Sequence, residues 1–231
     1  MQGGGVTMRR AIRDEASWQA GARAVLPLAA AIAVLGVSFG ALATAAGLTP
    51  AAAAVMSATT FAGSAQFAAV SILGAGGGVG AAVGAAALLN ARYAAMGLGL
   101  VPGVRGGPWK RILVAWLAVD ESWAVSWLDD GRFSQERLVG AGLVLFAAHV
   151  GSTALGAATG RQLFTDPAAW GLDAAFPALF LVLLGPHVQH RDGRLAAAFG
   201  AAIALALIPF APAGAPVVAA ASASLVGWRQ R

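Results

Sequence analysis

A guanidinium and two adjacent carboxyls stand inside runs otherwise fit for lipid: Arg92 in Asn90-Ala91-Arg92-Tyr93, and Asp120-Glu121 in Ala118-Val119-Asp120-Glu121-Ser122-Trp123. Hydrocarbon offers such groups no partner, and insertion scales charge Arg roughly 2.5 to 3.5 kcal/mol at a bilayer centre, so each is a functional candidate. Arg92 either snorkels toward an interface from the end of its helix or holds a carboxylate, the protein's or a cargo's, in its planar fork. Two carboxyls in a poorly solvated site cannot both ionise cheaply, which is how membrane carriers obtain a proton-binding group near neutral pH. The alternative role for Asp120 or Glu121 is a structural salt bridge to Arg92. At about 100° per residue, Trp116, Asp120, Trp123 and Trp127 would share one face of a continuous helix, with Glu121 a quarter-turn away.

A third cluster, Thr59-Thr60-Phe61-Ala62-Gly63-Ser64-Ala65-Gln66-Phe67, sets a glycine, small hydroxyls and an amide between phenylalanines. Either it unwinds and presents backbone groups to a cargo, with Ser64, Gln66 and Phe67 at the site, or its hydroxyls bond carbonyls one turn earlier while Gln66 bridges helices. His149, alone in an apolar helix, reads as a hydrogen-bonded packing residue in preference to a proton relay. Asp166-Pro167 and Asp173 with Phe176-Pro177 read as helix starts, the second also as an anion site. With no cysteine there is no disulfide, thiolate metal site or thiol nucleophile. No P-loop, nucleophile elbow or metal-ligand cluster is read, so no cofactor and no enzymatic chemistry is expected. A carrier is the physical default, with a passive channel for small solutes or a non-transport membrane scaffold or assembly protein as the alternatives.

The elements that must position these groups follow from composition. The 231 residues are 58% hydrophobic and 11% charged, with a mean hydropathy of +0.73, far from a soluble domain's usual quarter of charged residues. The net charge of +5 is carried between apolar runs instead of in one patch, which points to headgroups and not to nucleic acid. Apolar runs occupy 24–46, 50–74, 79–101, 111–128, 138–160, 172–188, 195–209 and 212–228, against the ~20 residues a spanning helix needs. The last two are short and separated by Pro209, Pro212, Gly214 and Pro216, so they are two thin spans or half-helices meeting in the membrane. Residues 1–23 form a charged cytoplasmic or interfacial lead instead of a cleaved signal, and 24–231 form one transmembrane permease domain. The fold class expected is an all-α polytopic membrane bundle of seven or eight spans, with broken or half helices.

If all eight runs cross, Arg9, Arg10, Arg13, Arg23, Arg132, Arg137, Arg191, Arg194, Arg229 and Arg231 share the side of the N-terminus, against Arg105, Lys110, Arg111 and Arg161. That asymmetry favours cytoplasmic termini, with the basic 102–111 loop as a blemish. Merging the last two runs moves Arg229 and Arg231 across and removes most of the asymmetry. Alanine and glycine throughout the runs let helix backbones approach closely.

These residues carry a resemblance. Pro27 with Ser38-Phe39-Gly40, Phe61-Ala-Gly-Ser-Ala-Gln66-Phe67, Asn90-Ala-Arg92-Tyr93-Ala-Ala-Met96, Asp120-Glu121-Ser122 and Asp173-Ala-Ala-Phe176-Pro177-Ala178-Leu179-Phe180 occur in the order and at the separations of the AzlC family of branched-chain amino acid permeases, which the chain resembles over nearly its whole length. The resemblance implies export of valine, leucine, isoleucine and related analogues from the cell through the inner membrane without ATP. It also implies a small multi-span partner of the AzlD type. Tyr93 stands where the family commonly has histidine. Asn90, Arg92, Asp120, Glu121 and the Ser64–Gln66 stretch are expected to converge mid-membrane.

Overall fold

Prolines and small hydroxyls mark the helix starts. Thr49 caps Pro50, its Oγ1 accepting from Ala52 N at 3.1 Å, while Pro27 and Pro108 sit in first turns, where a missing N–H costs nothing. The computed structural model describes residues 14–128, 131–163, 181, 184–185, 187–211, 215–220 and 222–223. Among the described residues the α-helices are α1 (Trp18–Ala24), α2 (Leu26–Ala45), α3 (Pro50–Thr60), α4 (Gly63–Gly74), α5 (Val79–Leu100), α6 (Pro108–Trp116), α7 (Asp120–Val125), α8 (Gln135–Leu163), α9 (Arg191–Leu207) and α10 (Ala215–Ala220). Asp166-Pro167, Asp173, Phe176-Pro177 and most of the sixth and eighth apolar runs lie outside the described residues, as do residues 1–13 and the C-terminal arginines.

Among the described residues three helices are long and apolar enough to cross a membrane: Leu26–Ala45, Val79–Leu100 and Gln135–Gly160. α2 and α8 form the central pair and run parallel. A Cβ on Gly36 would overlap Ser152 Oγ and the His149 carbonyl, and one on Gly156 would overlap the Val37 carbonyl. Only glycine permits that approach, and in lipid such backbone contact replaces the hydrophobic force that holds soluble helices together.

The second and fourth apolar runs do not continue from one end of the α2–α8 pair to the other; each folds back. α3 descends antiparallel to α8, pairing Ser57 with Thr153 and then setting Phe61 against Phe146 and His149. Phe61 takes φ 42 and ψ 45, a left-handed conformation uncommon for a bulky residue, and the chain reverses. α4 returns beside α2, with Phe67 on Phe39 at 5.4 Å and Gly74 against Ala46, the residue that ends α2. α5 then runs from that end to the other. The fourth run mirrors this course from the opposite end. α6 stops at Trp116, residues 117–119 turn against Gly142 of α8, and α7 leads back to Trp127, which bridges Phe133. Ser122 fixes the turn by accepting from Val119 N at 2.9 Å and donating to the Leu117 carbonyl at 2.7 Å.

Two sequence expectations change as a result. The loops 101–107 and 126–135, assigned by eight crossings to opposite faces, lie at the same end: Arg105 N donates to Gln135 Oε1 at 2.6 Å, and Ser134 N to the Ser126 carbonyl at 2.9 Å. The shared face of Trp116, Asp120, Trp123 and Trp127 does not exist either, because the helix is broken between the first two and ends before the fourth. Unbroken hydropathy hides both turns, since each is made of residues as apolar as the helices it joins.

Candidate functional site

The two hairpin turns meet beside the middle of α8, roughly 10–30 Å from either of its ends at 1.5 Å per residue. Trp116 at the end of α6 donates its indole N–H to the Thr59 carbonyl at 3.2 Å, and its ring packs on Phe61 and Phe146 with centroids 5.9 and 4.8 Å away. Between the tips and the long helices lies a cavity with about 60 Å³ of space that the centre of a water molecule can occupy. Its polar lining is Ser64, Arg92, Tyr93, Asp120, Glu121 and His149. Ile32, Leu35, Phe67 and Leu145 form its apolar walls.

Arg92 of α5 touches both hairpins. Its Nη2 lies 2.8 Å from Asp120 Oδ2 and 3.0 Å from Ser64 Oγ, to which it donates. It also donates to the Tyr93 hydroxyl at 3.4 Å, with the guanidinium 5.2 Å from that ring's centroid. Of the partners open to Arg92, the structure supplies the protein's own carboxylate, Asp120. Its Nε is buried without a hydrogen-bond partner. Glu121, adjacent to the paired Asp120, lines the same cavity and makes no ion pair among the described residues.

Gln66 is fully buried and ties three segments together. Its Oε1 accepts from Ala62 N at 3.2 Å, its Nε2 donates to Ser57 Oγ at 2.8 Å, and Ser57 Oγ donates to Thr153 Oγ1 at 3.0 Å. The Ala62 N–H can only be met by an oxygen, which fixes the orientation of the amide. His149 Nε2, 3.0 Å from that same oxygen, must therefore carry the proton, leaving Nδ1 with the lone pair in the neutral ring. The chain unwinds at Phe61–Ala62, and the bonds of the second reading are present as well: Thr59 Oγ1 bonds back to the Val55 carbonyl at 2.8 Å and Gln66 bridges to α8. Ala62 gives α4 no side-chain cap, so the first-turn N–H groups at Gly63 and Ser64, both cavity-lining residues, carry the partial positive charge of a helix start.

Of the residues expected to converge, Ser64, Arg92, Asp120 and Glu121 line the cavity, as does the further candidate Phe67, and Gln66 reaches it through His149. Asn90 does not line it, and its Oδ1 is buried without a hydrogen-bond partner. One turn of helix separates positions three or four apart, whereas Asn90 and Arg92 are two apart and point to different sides. From the sequence His149 reads as a hydrogen-bonded packing residue. It does pack, on Phe61 at 6.1 Å, but it also faces the cavity. The signal available was its i, i+4 relation to Leu145, which places both on one face of α8. Ile32 and Leu35 carried no signal of their own, and Tyr93 only its place in the Asn90–Tyr93 cluster, where the family commonly has histidine.

The family model described as AzlC protein matches residues 27–163, which hold every cavity-lining residue. An uncharacterized membrane protein of Archaeoglobus fulgidus is 37% identical over 111 residues, 47% of this chain and 50% of that protein, so the match spans about half the relative's length. No solved structure matches the chain.

Proposed function

The chain belongs to the AzlC family, and from that premise we propose that it is a secondary transporter exporting small apolar amino acids, valine, leucine and isoleucine among them. The observation that carries the proposal is the single cavity presenting a cation, two carboxyls and apolar walls where two broken helices meet. Apart from its side chain an amino acid is a zwitterion. Its carboxylate suits Arg92 and the open N–H groups of α4, its ammonium suits Glu121, and its aliphatic part suits Ile32, Leu35 and Leu145. Discontinuous helices whose starts face the bound anion are the recurring device of membrane carriers. At roughly 10–15 Å³ of such space per water, the cavity holds about four to six waters, a volume suited to a cargo of this size.

The face bearing the start of α2 is proposed to be cytoplasmic. Arg23, Arg105, Lys110, Arg111, Arg132 and Arg137 lie in or beside the segments at that end, whereas at the other end 46–49 and 75–78 carry no Lys or Arg and the last turn of α8 carries Arg161. Folding back the second run thereby puts the basic 102–111 loop on the proposed cytoplasmic side. A small AzlD-type membrane subunit as partner and coupling to the proton gradient through Asp120 or Glu121 complete the proposal, with location in the inner membrane.

Expression together with such a partner gene should confer resistance to toxic analogues of valine or leucine relative to an empty vector and lower the intracellular amino acid. Unchanged intracellular levels would remove the transport reading. Selectivity should be broad, because an apolar pocket separates homologues differing by one methylene by only about 10- to 200-fold. Valine efflux should be inhibited by leucine, isoleucine and methionine, and inhibition by none of them would exclude a simple apolar pocket.

A further inference from the structure

We propose that the two re-entrant hairpins are the gates of the cavity. In this scheme α3–α4 closes it toward the end where α2 finishes and α6–α7 toward the end where α2 begins, with the Trp116–Thr59 hydrogen bond as the latch between them. What the cavity carries rests on the transport reading; how it opens does not.

Three observations carry the inference. The first is topological: the hairpins enter from opposite ends, and their turns, Phe61–Gly63 and Leu117–Val119, meet at the cavity, so moving either one uncovers it from one side only. The second is the hinges. The positive-φ glycines of the described residues are Gly47, Gly76, Gly106 and Gly131, at φ 95, 79, 120 and 76. They stand at the four roots: between α2 and α3, α4 and α5, α5 and α6, and α7 and α8. Glycine adopts both signs of φ without steric cost, so each hairpin is rooted at both ends in residues able to absorb a rotation.

The third observation is the latch itself. Thr59 lies in the last turn of α3, where carbonyls lack an intrahelical donor, and the indole N–H of the opposing gate supplies one. Arg92 adds a clasp operated by the cargo, since the same Nη2 holds Ser64 of one gate and Asp120 of the other. A carboxylate arriving at Arg92 competes with both contacts and loosens both tips. Solvent then replaces one neutral hydrogen bond and two contacts to Arg92, which makes opening reversible.

The chain has no cysteine, so single cysteines report access without background. In vesicles treated with a membrane-impermeant maleimide, Ala45→Cys and Gly78→Cys should react from one face and Gly107→Cys and Glu136→Cys from the other. Reaction of Ala45→Cys and Gly78→Cys from opposite faces would mean that the second run crosses, and the gate proposal would fall. Leu35→Cys, lining the cavity, should react roughly 2- to 12-fold faster when Trp116→Phe removes the latch donor but keeps the ring, the factor one net hydrogen bond sets. Gly107→Cys should keep its rate in both backgrounds. An unchanged rate at Leu35→Cys would overturn the latch. If Trp116→Phe does not accumulate, the four face assignments still decide the topology on which the gates depend. Faster labelling without amino acid efflux would leave the gates standing and remove the transport reading, whereas intact efflux with parental labelling would do the reverse.

Discussion

Breaking the Arg92–Asp120 pair one partner at a time should give unequal losses. The pair sits at 2.8 Å, with each side chain 33% exposed, so its coupling falls between the 0–1 kcal/mol of surface pairs and the 3–5 kcal/mol lost on breaking a fully buried one: about 1–2 kcal/mol. Asp120→Asn leaves Arg92 with Ser64 Oγ, the Tyr93 hydroxyl and the face of the Tyr93 ring, and should cost about 1 kcal/mol. Arg92→Gln leaves two adjacent carboxyls facing one cavity without their cation, and should cost about 2–3 kcal/mol. The double variant should then be less destabilised than the two single losses combined, by the coupling. The assay is unfolding in mixed detergent micelles, followed by tryptophan fluorescence, on all four forms of the cycle. A coupling below about 0.5 kcal/mol, or Arg92→Gln no worse than Asp120→Asn, would refute the argument that the ion pair, and not packing around it, holds α5 to the hairpin tips.

Asp120→Asn and Glu121→Gln, measured separately in vesicles, should identify the coupling carboxyl. Its variant loses accumulation driven by a pH gradient yet retains exchange of amino acid for amino acid, and wild-type pH dependence in both would clear both residues. Gln66→Leu removes the donor to Ser57 Oγ and strands the Ala62 N–H and His149 Nε2, and should cost about 2–4 kcal/mol in thermal or denaturant unfolding; a neutral effect would show that the amide does not organise the break. Gly36→Ala and Gly156→Ala force a methyl into the α2–α8 contact and should each destabilise by about 1–3 kcal/mol. Gly151→Ala, with nothing within 4 Å of the added carbon, should be within about 0.5 kcal/mol of neutral.

Sequence alone determined the chemistry and the solvent. Its composition demands lipid, and Arg92, Asp120 and Glu121 declare themselves because charge in an apolar run has to be offset by something. Gly63, Ser64 and Gln66 mark where a helix can unwind, and Arg92 finds its carboxylate where the sequence offered one. What only the tertiary structure decided is direction. Whether an apolar run crosses or turns back depends on one left-handed residue, Phe61, and on a three-residue turn capped by Ser122, neither of which changes hydropathy. The same holds for company: Asn90 leaves the site, and His149 and Tyr93 join it, because side-chain direction follows helix rotation and the path of the neighbouring hairpins. A one-dimensional pattern records how apolar each residue is, but distances between residues far apart in the chain are fixed only when the backbones have packed.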